Sequence, residues 1–178
     1  MALRIPVDLK NPEDRPLVLA AEVIQAGGVI VYPTETLYGI GADALNASAG
    51  NRVHVAKQRK ERKPLLVIVP DRDSVSLLSQ EAPPAARTLM EAFWPGPLTL
   101  VLRASDNVPG EVTQGTGTVG IRIPSSPLCI QLLRLAGTPI ISTSANISGD
   151  GPCQSVDEIE NVLKPYVDLL LDAGPLEE

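Results

Sequence analysis

The sequence predicts a single α/β domain in which helices flank a mixed, largely buried β-sheet. Three observations carry that prediction. The chain has 178 residues, the length of one domain against roughly 150 residues per domain. Its residues are 44% hydrophobic and 20% charged, the balance of a globular chain with a sizeable core. Short apolar runs alternate along it with segments of helical period, and the 17 prolines and 14 glycines are spread out instead of collecting in one linker.

Leu17, Ala20, Ala21, Val23 and Ile24 recur at near-helical spacing and Gly27-Gly28 ends them, so residues 15–26 read as a helix. Val29–Tyr32 follows as a strand. A second helix is read over 47–60, and Leu65–Val69, an unbroken apolar run of strand length, reads as a strand covered on both faces. Helices near 73–79 and 83–93 precede strands at Leu98–Leu102 and Val119–Ile123, between which no helix is assigned. A helix near 127–136, a strand Pro139–Ser142, a helix 156–166 and a strand Asp168–Leu171 complete the order.

Lys and Arg total 15 against 21 Asp and Glu, a formal charge of −6 with a pI near 4.8. That is the wrong sign for a protein that coats nucleic acid. Aromatic residues, at 3%, are too few for a base-stacking platform. No stretch approaches the roughly 18–20 apolar residues needed to span a bilayer. Pro6 and Asp8 stand where a secretory signal would have its apolar core, so the expected location is cytoplasmic. In that compartment Cys129 and Cys153 are expected as buried or half-buried thiols, not a bridge. A single histidine, His54, excludes a multi-histidine metal site and is expected to be a surface or packing residue, not a catalytic base.

Gly115-x-Gly117-x-x-Gly120 has the letters of a dinucleotide fingerprint, but Ile121-Arg122-Ile123-Pro124 follows it, a strand stopped by proline where the fingerprint requires a helix. A phosphate loop ending in Gly-Lys-Ser/Thr and a Gly-x-Ser-x-Gly elbow are both absent from the sequence. A bound nucleotide must be held by another device. Lys57 to Lys63 holds five cations in seven residues. Such a run fits a solvated helix end that complements the carbonyl dipole, or a clamp for phosphate and carboxylate oxygens. Arg122 lies in the middle of an apolar strand, where a guanidinium requires an anionic partner, either an internal Asp or Glu or a bound anion. Tyr32-Pro33-Thr34-Glu35-Thr36 and Ser142-Thr143-Ser144-Ala145-Asn146 put small polar side chains where apolar strands run out. Ligands of open α/β sheets lie at such ends, and turns that bond their own backbone use the same residues. The two ends are read as one shared crevice.

Taken together, these segments resemble the YrdC/Sua5 family of threonylcarbamoyl-adenylate synthases. The matching pieces are Gly27-Gly-Val-Ile-Val-Tyr-Pro-Thr-Glu-Thr-Leu-Tyr-Gly-Ile-Gly41, Lys57-x-Arg59 with Lys63-Pro64-Leu65, Phe93-Trp-Pro-Gly-Pro-Leu-Thr99, Val119-Gly-Ile-Arg-Ile-Pro124, Ser142-Thr-Ser-Ala-Asn-Ile-Ser-Gly149 and Leu171-Asp-Ala-Gly174. They run in the family's order over nearly the whole chain. The resemblance implies a twisted mixed sheet of the YrdC/RibB-like type with a concave basic cavity. It also implies a reaction joining L-threonine, bicarbonate and ATP into threonylcarbamoyl-AMP with release of pyrophosphate, for threonylcarbamoyladenosine modification of tRNA.

By resemblance, Thr34, Arg122 and Ser142 hold threonine, and Lys57, Thr118 and Ser144 hold ATP. Lys57, Arg59, Ser144 and Asn146 form the catalytic Lys-x-Arg/Ser-x-Asn set. Mg²⁺ is expected with ATP and no metal site in the protein itself; tRNA and a threonylcarbamoyl-transferase complex are the downstream partners, and no membrane is. Such steps need positioning and charge neutralisation more than a protein nucleophile. A non-catalytic RNA-binding or ribosome-associated member of the same family is the alternative, disfavoured by the acidic pI and few aromatics. Lys60 stands where the family commonly has proline, and Pro124-Ser-Ser-Pro127 replaces a Pro-Ser-His-Pro-like turn. Family members continue past the Asp-x-Gly at 172–174 into a segment with a Ser-Thr pair that helps close the site. Residues 1–178 are therefore expected to be a YrdC-like domain without that closing segment.

Overall fold

The computed structural model describes residues 2–10, 14–58, 63–151, 153 and 155–176. In chain order the elements are β1 (Leu3–Pro6), α1 (Asp14–Gln25), β2 (Ile30–Pro33), β3 (Tyr38–Asp43), α2 (Ala47–Ala56), β4 (Leu66–Ile68), α3 (Val75–Leu78), α4 (Pro84–Phe93), β5 (Leu100–Arg103), α5 (Gly110–Thr113), β6 (Thr118–Arg122), α6 (Pro127–Ala136), β7 (Ile140–Ser144), α7 (Val156–Leu163) and β8 (Leu169–Asp172). The strands form one eight-stranded sheet in the order β1-β8-β2-β3-β7-β4-β6-β5. β8 runs parallel to β1 and β2, and β4 to β6. The pairs β2–β3, β3–β7, β4–β7 and β5–β6 are antiparallel.

Side chains alternate across the sheet and fill a core on each face. One face packs Ile30, Tyr32, Ile68, Ile140 and Leu171 against Leu17 and Ile24 of α1 and Leu132 of α6. The other packs Val31, Ile40, Val67, Ile121 and Ile141 against Val53 of α2, Met90 of α4 and Leu163 of α7. Two-sided burial is why the central strands read as unbroken apolar runs. Truncating one of these fully buried leucines, such as Leu132, to alanine removes about 2–5 kcal/mol.

The helix ends follow local chemistry. The Gly28 N–H reaches Val23 O at 2.8 Å and the Gly27 N–H reaches Ile24 O at 2.9 Å, a Schellman closure permitted by Gly27 at φ 78°. Asn46 caps α2 by accepting the Ala49 N–H at 3.1 Å. Ser126 caps α6, with Pro127 in the first turn and Gly137 closing it at φ 66°.

Three elements were not legible in the sequence. β1 is a four-residue edge strand whose side chains are mostly exposed, so it carries no burial pattern. β3 has glycine at alternate positions, Gly39 and Gly41, and lacks the β-branched signature of a strand. α5 is a single turn of four residues between β5 and β6, too short to show a period. Two helices are shorter than their patterns: α2 gives way at Lys57, and α7 stops at Leu163 ahead of Pro165, which has no amide to continue it. Gly115 and Gly117 take positive φ in the turn entering β6, so the fingerprint letters lie on a turn into a strand, not on a strand-to-helix crossing. No helix among the described residues is long and apolar enough to cross a membrane.

Candidate active site

Register brings most of the predicted site residues to one face, because cross-strand partners share a side of the sheet. Tyr32 faces Gly39 across β2–β3, and Gly39 and Gly41 face Ser144 and Ser142 across β3–β7. Beyond β7, Val67 faces Ile141, and Leu66 faces Gly120 across β4–β6. Arg122 shares a row with Ile140 through Ile68, and stepping by two along β6 and β7 puts Gly120, Thr118, Ser142 and Ser144 on that same face. Tyr32, Ser142, Ser144, Thr118 and Arg122 therefore project toward the side of α1 and α6.

Gly41 of β3 has a defined task here, whereas Gly39 leaves room for an ordinary contact. A Cβ on Gly41 would stand 2.7 Å from Tyr32 Cε1, and one on Gly39 3.5 Å from it. With no Cβ at Gly41 the Tyr32 ring lies across β3, fully buried, and donates its hydroxyl to Ser142 Oγ at 2.8 Å. Burial pushes the Tyr32 hydroxyl pKa well up, so it stays a proton donor, and the Ser142 proton is left to point elsewhere.

Lys57 is delivered by the end of α2. Its own N–H closes on Val53 O, and Gln58 then turns the chain with a left-handed φ of 47°. The side chain is 2% exposed. Its ammonium donates to Ser144 O at 2.7 Å, Asn146 Oδ1 at 2.8 Å and Ser144 Oγ at 3.2 Å. Ser144 Oγ in turn donates to Asn146 Oδ1 at 2.6 Å, and Asn146 Nδ2 donates to Asp150 O at 2.7 Å.

Strand geometry explains why the Ser144 carbonyl is available. The Ala145 N–H bonds Tyr38 O, which makes Gly39–Ser144 a non-hydrogen-bonded pair and turns the Ser144 carbonyl away from β3. On that side β4 pairs with β7 only as far as Ile141. The ammonium caps the strand end where the ladder has stopped. Burial excludes the solvated-end reading for Lys57, while Lys63 at the end of the cationic run is exposed. Arg59 lies outside the described residues, so the Lys-x-Arg/Ser-x-Asn set is described for Lys57, Ser144 and Asn146.

Arg122 has the anionic partner its strand position requires, and it is internal. Nε donates to Gly96 O at 2.8 Å and Nη2 to Glu35 Oε1 at 3.1 Å. The same Glu35 oxygen receives the Ser125 N–H at 2.6 Å, the Ser125 hydroxyl at 3.1 Å and the Ser126 N–H at 3.1 Å, at the start of α6. Burial by itself would raise the Glu35 pKa. Its own amide, the Arg122 guanidinium and the Ser126 and Ser125 amides outweigh burial and hold the carboxyl below its ordinary 4.5. Thr34 heads the β2–β3 turn, its Oγ1 donating to Leu37 O at 2.6 Å. A cleft of about 820 Å³ opens beside Thr34 and Glu35, bordered by Lys10, Ser125, Ser126 and Leu176.

Thr118 Oγ1 lies 3.0 Å from Thr116 Oγ1. Both cysteines are free thiols: Cys129 is buried, which pushes its pKa up to about 12, and half-buried Cys153 is also pushed up by burial. His54 is a packing residue, buried on α2 with Nε2 2.8 Å from Glu111 O. Among the described residues no group of three or more His, Cys, Asp or Glu could hold a metal ion.

Sequence reasoning did not single out Tyr32, Glu35, Gly39 or Gly41. Signals for them exist. An arginine inside an apolar strand calls for an acid, and Glu35 stands at a neighbouring strand end; glycines two apart mark one stripped face of a strand.

Known proteins share this sequence pattern and fold. The Sua5/YciO/YrdC family profile, described as "Telomere recombination", matches residues 22–178. The threonylcarbamoyl-AMP synthase of Bacillus subtilis is 37% identical over 169 residues, spanning 94% of this chain and 49% of that protein. The protein of the same name from Halorhodospira halophila is 35% identical over 152 residues, spanning 85% of this chain and 80% of its own length. A crystal structure of Pyrococcus abyssi Sua5 complexed with L-threonine superimposes with a TM-score of 0.89 at 34% identity, covering 98% of this chain and 51% of the other. The chain thus spans about half the length of the Bacillus and Pyrococcus proteins. With the family match running from α1 through β8 and the fold shared over nearly every residue, this chain belongs to the Sua5/YciO/YrdC family.

Proposed function

We propose that this chain is an L-threonylcarbamoyladenylate synthase domain, converting L-threonine, bicarbonate and ATP to threonylcarbamoyl-AMP, pyrophosphate and water. The observation that carries the reading is the Lys57–Ser144–Asn146 knot at the end of β7, the strand that also carries Ser142, on the sheet whose β6 carries Arg122 with its Glu35 partner beside the Thr34 turn. Relatives named threonylcarbamoyl-AMP synthase, and a structural neighbour complexed with L-threonine, support it.

Threonine's amine adds to carbon dioxide derived from bicarbonate, giving a carbamate. A carbamate oxygen attacks the α-phosphorus of ATP in line; the bond to the bridging oxygen breaks, and pyrophosphate leaves with the electron pair. Arg122 takes the threonine carboxylate through its remaining N–H groups, while Ser142, its oxygen occupied by Tyr32, donates to the amino acid beside Thr34. Lys57 is assigned to the phosphates, and Arg59 by the family motif, with Thr118, Ser144 and Asn146 completing the nucleotide side. Mg²⁺ enters as the chelate of ATP, a substrate and not a resident ion. The adenylate then serves tRNA modification through a threonylcarbamoyl-transferase complex.

The test is pyrophosphate release by the purified chain with each substrate omitted in turn. Release that requires both threonine and bicarbonate is expected. ATP turnover indifferent to threonine would overturn the reading.

A further inference from the structure

We propose that Glu35 is the positioning residue of the amino-acid half of this site, fixing the Arg122 guanidinium so that Nη1 is left for the carboxylate of the substrate. The inference rests on the synthase reading above and deepens it. An arginine side chain has many rotamers, and a carboxylate fork works only when the guanidinium is already aimed. Here two contacts pin it: Gly96 O holds Nε and Glu35 Oε1 holds Nη2, while Nη1 has no hydrogen-bond partner among the described residues. Both anchors are themselves fixed. Gly96 N–H is bonded to Ile123 O at 2.9 Å, and Glu35 Oε1 is tied to Ser125 and Ser126 at the start of α6.

The opposite arrangement, in which the incoming carboxylate expels Glu35 and takes its place, is disfavoured by the same contacts. Expulsion strips four donors from one carboxylate oxygen in a half-buried setting, whereas binding at Nη1 strips none. Two carboxylates on one guanidinium repel each other, and the serine amides at the helix start take up part of the Glu35 charge. Ser125 and Ser126 also lie with Glu35 on the wall of the cleft, so the carboxylate that pins Arg122 borders an opening.

The Glu35 bonds to Arg122, Ser125 and Ser126 all end on Oε1, so a carboxamide oxygen can accept the same donors; this separates geometry from charge. The experiment measures threonine and ATP dissociation constants by titration calorimetry for the wild-type chain, Glu35→Ala and Glu35→Gln. The Arg122 Nε–H resonance is followed in ¹⁵N spectra of the same proteins. Glu35→Ala is expected to weaken threonine about tenfold or more with ATP affinity unchanged, and Glu35→Gln to recover to within about threefold of wild type. The Nε–H signal should be slowly exchanging in wild type and Glu35→Gln and lost in Glu35→Ala.

Tighter or unchanged threonine binding in Glu35→Ala overturns the proposal, the first in favour of displacement. Equal loss of both ligands overturns it in favour of a purely structural role. A wild-type chain that binds no threonine ends the synthase reading, and the positioning of Arg122 is then judged on its Nε–H signal alone, whose persistence in Glu35→Ala overturns it.

Discussion

Replacing Lys57 by methionine keeps most of the stem and removes the ammonium from the end of β7. Ser144 O then loses its ammonium donor and keeps the Asn146 N–H at 2.9 Å, while Asn146 Oδ1 keeps the Ser144 hydroxyl. The lost charge-assisted bonds to Ser144 and Asn146, less the relief of no longer desolvating an ammonium, come to about 1.5–3 kcal/mol. For a chain of this size that lowers Tm by roughly 3–12 °C, at roughly 2–4 °C per kcal/mol. Urea denaturation with Lys63→Met as the exposed control is the assay, the control staying within about 0.5 kcal/mol of wild type. ATP affinity is read on the same proteins. A Lys57→Met chain as stable as the control would refute the claim that this cation closes the strand end. Lowered stability with undiminished ATP binding would make Lys57 a pin and remove it from the nucleotide site.

Arg122→Lys should weaken threonine more than ATP, because one ammonium cannot hold Gly96 O, Glu35 and a ligand carboxylate together; calorimetry showing the reverse order would exchange the ligand assignments. Gly41→Ala should cost about 1–3 kcal/mol, since the new Cβ meets a buried Tyr32 ring that has nowhere to go; thermal unfolding indistinguishable from wild type would contradict the packing. Glu35 sets an acid limb. Its folded pKa lies below the ordinary 4.5, so the stability it contributes is complete above that value and is lost as pH falls through the lowered pKa. Glu35→Gln should therefore flatten the loss of stability below about pH 5, and an unchanged acid limb in denaturation curves would assign that loss to other carboxylates.

Local signals in the sequence were enough for most of the architecture. The Gly27-Gly28 stop, the buried run at Leu65–Val69 and the helix of 127–136 each combine a period with a terminator, and each stands within a residue or two of its expected bounds. The elements that escaped are those whose reason for existing is elsewhere in the fold. β3 has Gly41 because Tyr32 must lie across it, and nothing within Tyr38–Asp43 states that requirement.

The site divides in the same way. Sequence alone determined which residue types stand at the strand ends, that Arg122 needed an anion, and, by order of motifs, which family they resemble. Only the tertiary structure decided that the anion is Glu35, that Lys57 is buried against Ser144 and Asn146, and that Arg122 shares a row with Ile140. Those facts depend on sheet order and register, which join strands far apart in the chain. A hydrogen bond between residues 87 positions apart, as from Lys57 to Ser144 or Arg122 to Glu35, leaves no periodicity in a single sequence, because period records only which neighbours along the chain share a face.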